Sequence, residues 1–497
     1  MGQFHFFAPS HEQVPVESLA SAYLAGMEGI PWRSTNRWNH PKGALPVAFS
    51  LDRTIAESGN LNILWQVEGF GELMLSTASL METSAPYNLP LELARGVVNR
   101  LRNQVAEWCM AGLTLPEEVA IEIRAASSAF VSAITSLPNH AAAVAASENT
   151  IRLGLQAGES LCLEYSRQTL AARHQNAEHL PTLLGCRLAS RHIEGSEADC
   201  LTSGFNTVSV PFTWRAIEEN AGKHEWDVFD QQITWCQENG LRVIGGPLLQ
   251  LDDQHLPDWL YLWEDDFEQV QNYLTHYIQA TVTRYRGRVQ VWNCAARMNI
   301  GGTISLTEEQ RLRLMVAAIA ELRRNDPQTP IILSFDQPWA EYLALNDRDL
   351  SPLHLADSLV RADLGIAGIG IEFNIGYQPA GTAPREFVEY SRQLDRWAVL
   401  GLPLIVYVAC PSASGNDVSA RRQVRASTSE RSPEAQSAFV SKLIPLMLAK
   451  QFVQGIVWNE LSDAAPHEFA NAGVINSEGM SKPLLDELIT IRKQHLT

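Results

Sequence analysis

The sequence predicts an α/β chain: a (β/α)8 TIM barrel preceded by an N-terminal β-containing and helical domain. Three observations lead there. From about Leu180 onward, short apolar runs alternate with amphipathic helical segments. Before that point, short β-type runs give way near Leu89 to a helical period. Hydrophobic residues make up 45% of the 497 and charged residues only 19%, enough apolar material for a large core. The expected boundaries are 1–179 for the N-terminal domain and 180–497 for the barrel.

The amino-terminal part opens with the runs Gln3–Phe7, Pro46–Leu51 and Leu61–Val67, separated by Gly, Pro and Asn. In Leu89–Ala111 the apolar positions Ala94, Val97, Val98, Leu101, Val105 and Trp108 fall on one helical face, closed by Gly112. A second helix starts at Pro116 and carries Val119, Ile123, Ala126, Phe130 and Ile134 on one stripe. A third, Ala-rich helix is expected from about Asn139 to His174. This patterning suits a bundle, or packing on a neighbour, and carries no evident chemistry.

Eight strands are then expected at Leu183–Leu188, Phe205–Val210, Leu241–Ile244, Val289–Cys294, Ile331–Phe335, Ile366–Phe373, Leu402–Ala409 and Gly455–Trp458. Helical segments such as Phe229–Asn239, Phe267–Tyr285, Glu308–Asn325 and Pro433–Lys450 lie between them. Eight parallel strands with returning helices close most simply as a barrel, and barrel chemistry sits at the carboxyl ends of the strands.

Charge narrows the partners. Lys and Arg total 38 against 56 Asp and Glu, a net −18. Nucleic acid and anionic membranes both call for a basic surface, so neither is expected. The opening residues carry no basic, apolar leader, and no run reaches the length of a membrane span, so a cytoplasmic protein is expected. The seven cysteines are scattered without CxxC spacing and read as reduced thiols. No metal-ligand spacing involves His255, His276 or His467, and no phosphate-cradling glycine loop or serine nucleophile elbow occurs, so neither metal nor cofactor is expected.

The strand-end residues resemble glycoside hydrolase family 10, the xylanases. The stretches that carry the resemblance are FNTVSV at Phe205–Val210 with Trp214, Gly240–Leu260 ending in Leu-Pro-Asp-Trp-Leu, and Arg284–Asn299. It continues through IAGIGIEFN at Ile366–Asn374, GLPLIVYVAC at Gly401–Cys410, VWNELSD at Val457–Asp463 and Ser481-Lys482-Pro483. The resemblance implies a saccharide ligand and, in its active members, a retaining pair of carboxyl groups about 5–5.5 Å apart.

The departures fall on the chemistry. In Trp292-Asn293-Cys294-Ala295-Ala296-Arg297, Arg297 stands where the resemblance places the acid/base Glu, and Ala296 where it places the supporting Asn. Val408, in Tyr407-Val408-Ala409-Cys410, stands at the nucleophile position. Gly246 replaces a sugar-holding His, and Glu372-x-Asn374 replaces Gln-x-His.

Three acids remain near strand ends: Asp336, Glu372 and Glu460. An Arg beside them lowers their pKa, whereas a general acid needs its pKa raised. The expectation is an ion pair of Arg297 with Glu372 or Glu460, with relocated catalysis on these acids, or a ligand carboxylate held by Arg297, as alternatives. For a saccharide, Trp214, Trp339 and Trp458 are candidate stacking platforms, with Arg297, Asn374 and Gln250 as polar contacts. Trp259 is read as packing, and Asp252, Asp253 and Gln254 as a solvated loop face, with polar contacts to a ligand as the alternative. The leading reading is a catalytically altered saccharide binder; an active glycosidase using Glu372 and Glu460, and a non-catalytic scaffold, are the others.

Overall fold

The computed structural model describes residues 2–9, 14–38, 47–193, 195–345, 350–426, 431–464 and 466–496. Pro46, the first residue of one expected strand, lies outside them.

The amino-terminal strands form two four-stranded sheets. One runs Ser34–Trp38, Val47–Arg53, Gly2–Ala8, Tyr87–Asn88; the other Pro31–Trp32, Tyr23–Ala25, Asn60–Val67, Gly71–Ser76. Alternate residues of both sheets bury into a shared core: Phe4, Phe6, Phe49 and Leu51 from the first, Leu24, Leu61, Ile63 and Trp65 from the second.

Helix Leu89–Met110 starts at Asn88, whose side chain accepts from the Leu91 N–H, and adds Leu93, Ala94 and Val97 to that core. Gly96 lets the helix approach the strand edge; a Cβ there would stand 2.0 Å from the Ser76 carbonyl oxygen. Helix Glu117–Thr135 returns, and His140–His174 follows from an Asn139 cap. The long last helix lies on the barrel through Leu161 and Cys162 against Val388 and Leu446.

The expected strands close into a parallel barrel: Leu183–Arg187, Thr207–Val210, Arg242–Gly245, Val291–Ala296, Ile331–Asp336, Gly368–Asn374, Leu404–Ala409 and Val453–Trp458. Closure is the pairing of the eighth strand with the first, Gly455 with Leu183 through Trp458 with Cys186. Strand alternation sorts the side chains. Leu183, Ile244, Val291, Ile332, Ile405, Tyr407 and Val457 fill the interior, while their neighbours, Val408 and Trp458 among them, pack in the large core with the helices.

The connections after the sixth, seventh and eighth strands build one further element. Tyr377–Gln378, Ala420–Val424 and His467–Phe469 pair as a small sheet beside the carboxyl ends of the barrel strands. This cap sheet decides what the barrel mouth contains.

Candidate functional site

The fourth strand ends at Ala296, and Arg297 follows in the left-handed backbone region at φ 59°. For a residue other than glycine that conformation costs on the order of 1–3 kcal/mol, so its surroundings must hold it. They do. The Arg297 Nε donates to both oxygens of Glu372 at 2.9 Å, and Nη2 donates to Glu372 Oε2 at 2.7 Å. Nη1 donates to Glu468 of the cap sheet, and Asp336 Oδ2 lies 4.0 Å from Nε. Both the arginine and Glu372 are almost wholly buried.

The pair belongs to a larger lattice. Arg422, also from the cap, donates to Asp336 Oδ2 at 2.8 Å and pairs with Glu468 at 3.0 Å. Arg187, at the end of the first strand, donates to Glu468 Oε2 at 3.1 Å. Asn374 donates to Asp336 Oδ1 and to Glu372 Oε2, and accepts from Asn459 at 2.9 Å. Burial alone would push the Glu468 carboxyl up, but the guanidiniums of Arg297, Arg422 and Arg187 outweigh it and hold the group well below the usual carboxylate range.

Of the expected pairings, the structure makes Arg297 with Glu372 and leaves Glu460 apart. Glu460 accepts backbone N–H bonds from Glu468 and Phe469 at 3.0 and 3.3 Å. Burial, opposed by those bonds and assisted by the nearby Glu468 carboxylate, lifts its pKa to about 8. Its environment therefore favours the protonated form, beside a carboxylate whose surroundings favour the ionised one.

Two cavities flank the lattice. The larger, about 530 Å³, is lined by Arg187, Thr213, Arg215, His255, Asn459 and Glu460, with Arg421, His467 and Glu468 from the cap side. The smaller, about 190 Å³, is lined by Gln250, Asp252, Arg297, Ile300, Ala380, Arg421, Arg422 and Glu468. Each arginine of the larger cavity is paired with a carboxylate: Arg187 with Glu468, which Arg297 and Arg422 share, Arg191 with Glu197, Arg215 with Asp258 and Arg421 with Asp253; His255 contacts Asp252 and His467 contacts Asp417.

Gln250 lines the smaller cavity and donates to Asp252 Oδ2 at 2.6 Å. The tryptophans sit elsewhere. Trp214 stacks on Tyr277 at 5.1 Å and donates to Glu218; Trp339 donates to Glu389 under the Arg385 guanidinium; Trp458 donates to the Ala472 carbonyl oxygen. All are nearly fully buried, and no Trp, Tyr or Phe is among the residues lining either cavity. Val408 packs outward, and the interior side chain beside it is Tyr407, whose hydroxyl accepts from Asn293 at 3.3 Å. Gly246 has its own local reason: a Cβ there would meet the Asn293 carbonyl oxygen at 2.2 Å, with φ at 113°. No group of His, Cys, Asp and Glu suited to a metal occurs among the described residues, and no helix there is long and apolar enough to cross a membrane.

A closed eight-stranded parallel barrel with polar residues gathered at its strand ends defines a TIM-barrel protein. The model of glycosyl hydrolase family 10 matches residues 174–297. Endo-1,4-beta-xylanase B of Thermotoga neapolitana is 22% identical over 197 residues, 39% of this chain and 54% of that protein. Endo-1,4-beta-xylanase C of Paenibacillus barcinonensis is 27% identical over 104 residues, 19% of this chain and 9% of that protein. The chain thus spans about half the length of the first of these relatives and a small part of the second. Xylanase 10B from Thermotoga petrophila RKU-1, solved in complex with xylobiose, is 16% identical with a TM-score of 0.49, over 67% of this chain and 97% of that one. The barrel is thus similar to glycosyl hydrolase family 10 over residues 174–297, and to the Thermotoga neapolitana xylanase over a longer but distant match.

Proposed function

We propose that this chain binds a β-1,4-linked saccharide at the mouth of a xylanase-like barrel without hydrolysing it. The observation that carries the reading is the buried, bidentate pairing of Arg297 with Glu372 at the ends of the fourth and sixth strands. Retaining hydrolysis needs one protonated and one free ionised carboxyl group, about 5–5.5 Å apart across the bond to be cut. Here Glu372, Asp336 and Glu468 are all engaged by guanidinium groups. Glu460 is set against Glu468, a carboxylate held by three guanidiniums, and Glu372 is held by Arg297, which disfavours relocated catalysis on Glu372 and Glu460. The larger cavity supports a neutral ligand with both apolar faces and hydroxyl groups: its wall mixes Leu188, Ala189 and Pro211 with polar side chains, and its arginines are already paired with carboxylates.

The test pairs a binding titration with a reducing-sugar assay on xylo-oligosaccharides and xylan. Binding without product is expected. Product that disappears on Glu460→Gln would instead establish an enzyme of altered mechanism. A second reading, a scaffold whose helical arm makes the contacts, is favoured by the lack of an aromatic platform in either cavity. A glycan panel that gives no binding would favour it.

A further inference from the structure

We propose that Arg421 is a strap across the barrel mouth that sets how long a saccharide the site accepts. This rests on the saccharide-binding reading above. Arg421 and Glu468 are the side chains lining both the 530 Å³ and the 190 Å³ cavity, so together they form the partition between them. Glu468 is fixed by the guanidiniums of Arg297, Arg422 and Arg187. Arg421 is held quite differently. From the cap strand Ala420–Val424 it reaches over to the loop after the third barrel strand, pairing with Asp253 and standing 3.9 Å from Asp252 Oδ2. The side chains of Arg421 and Asp253 are 38% and 53% exposed.

An exposed ion pair contributes about 0–1 kcal/mol, so a ligand that offers replacement hydrogen bonds can displace it. The loop beneath stays in place when the pair opens. Arg215 donates to the Asp253 carbonyl oxygen at 2.6 Å and to Asp258 at 2.8 Å, independently of Arg421. Opening is therefore a side-chain movement that removes Arg421's part of the partition and leaves a passage between the two cavities past the fixed Glu468. A short oligosaccharide fits the larger cavity with the strap closed, whereas a longer one must displace Arg421 to extend toward Arg297.

The experiment is calorimetric titration of the full chain and of Arg421→Ala and Asp253→Asn with xylobiose and xylohexaose. Both substitutions are at exposed positions, and thermal melts confirm that the variants fold. In each variant the ratio of xylohexaose to xylobiose affinity should rise about fivefold, the scale of one exposed ion pair, and in Asp253→Asn, whose altered side chain lines neither cavity, xylobiose affinity itself should stay unchanged. High salt should reproduce the gain in the unmodified chain by screening the pair. Equal weakening of both sugars would make Arg421 an ordinary ligand contact, and no change in either would mean that it partitions nothing; both outcomes overturn the strap while leaving saccharide binding intact. If neither sugar binds any of the three proteins, the underlying reading fails and the strap falls with it.

Discussion

Arg297 and Glu372 are a case in which two residues decide what a barrel mouth can do. A buried guanidinium without a partner is costly, and a carboxylate that accepts hydrogen bonds from it through both oxygens is not available as a base. Glu372→Gln should therefore act on stability first, lowering it by about 3–5 kcal/mol in denaturant titration, the usual cost of breaking a buried pair. Glu460 behaves oppositely. Its folded pKa of about 8 lies above the ordinary 4.5, so between these values the folded chain holds a proton that the unfolded chain has released. Its stabilising contribution is complete below pH 4.5 and is lost as pH rises through 8. Melting curves of Glu460→Gln and the unmodified chain should agree near pH 4.5, with the variant increasingly the more stable toward pH 9. Glu468, depressed by its guanidiniums, carries the reverse dependence and loses its contribution as acid is added. The sequence pointed to Arg297, Glu372 and Asp336 because they follow strong apolar strands. It did not point to Glu468, Arg422 or Arg187. The first two sit on short polar cap strands with no hydrophobic period, and Arg187 is one more basic residue at the end of a strand whose partners lie far away in sequence.

At the scale of elements, the barrel strands were readable to within a few residues, because strands buried on both faces are continuous apolar runs. The helices Phe267–Tyr285 and Glu308–Asn325 stand at their expected limits. Ser34–Trp38, with the sequence STNRW, gave no such signal, since it is an edge strand whose place is set by pairing with Val47–Arg53. Tyr23–Ala25 and Gly71–Ser76 were missed as well, one too short for a period to register and the other following directly on a glycine turn. The close approach of helix Leu89–Met110 to the strand edge could not be read from Gly96 alone, because glycine within a helix is ordinarily just a weak helix former. It has a consequence: Gly96→Ala should destabilise the protein by about 1–3 kcal/mol in chemical denaturation, although alanine is the better helix former, because its methyl group overlaps the Ser76 carbonyl oxygen.

Across the whole molecule, the amino-terminal sheets are fastened to the barrel rather than tethered to it. The Met74 N–H donates to the Pro384 carbonyl oxygen, Arg100 pairs with Glu386 at 2.7 Å, and Arg385 bonds both Tyr23 and Glu341. The same barrel segment thus carries contacts to the sandwich on one side and the cap sheet on the other, and the cap delivers Glu468 and Arg422 into the space where a retaining pair would work. Family resemblance conveyed the cylinder; the contents of its mouth depend on connections after three separate strands, which no local pattern encodes. The most direct measurement is to titrate the protein with xylotetraose in a calorimeter and then resolve the sugar in the same sample by chromatography. Saturable heat with the tetrasaccharide recovered intact is the predicted result. Shortened products from the unmodified chain, absent when Glu372 or Glu460 is changed to Gln in a variant that still folds, would contradict it.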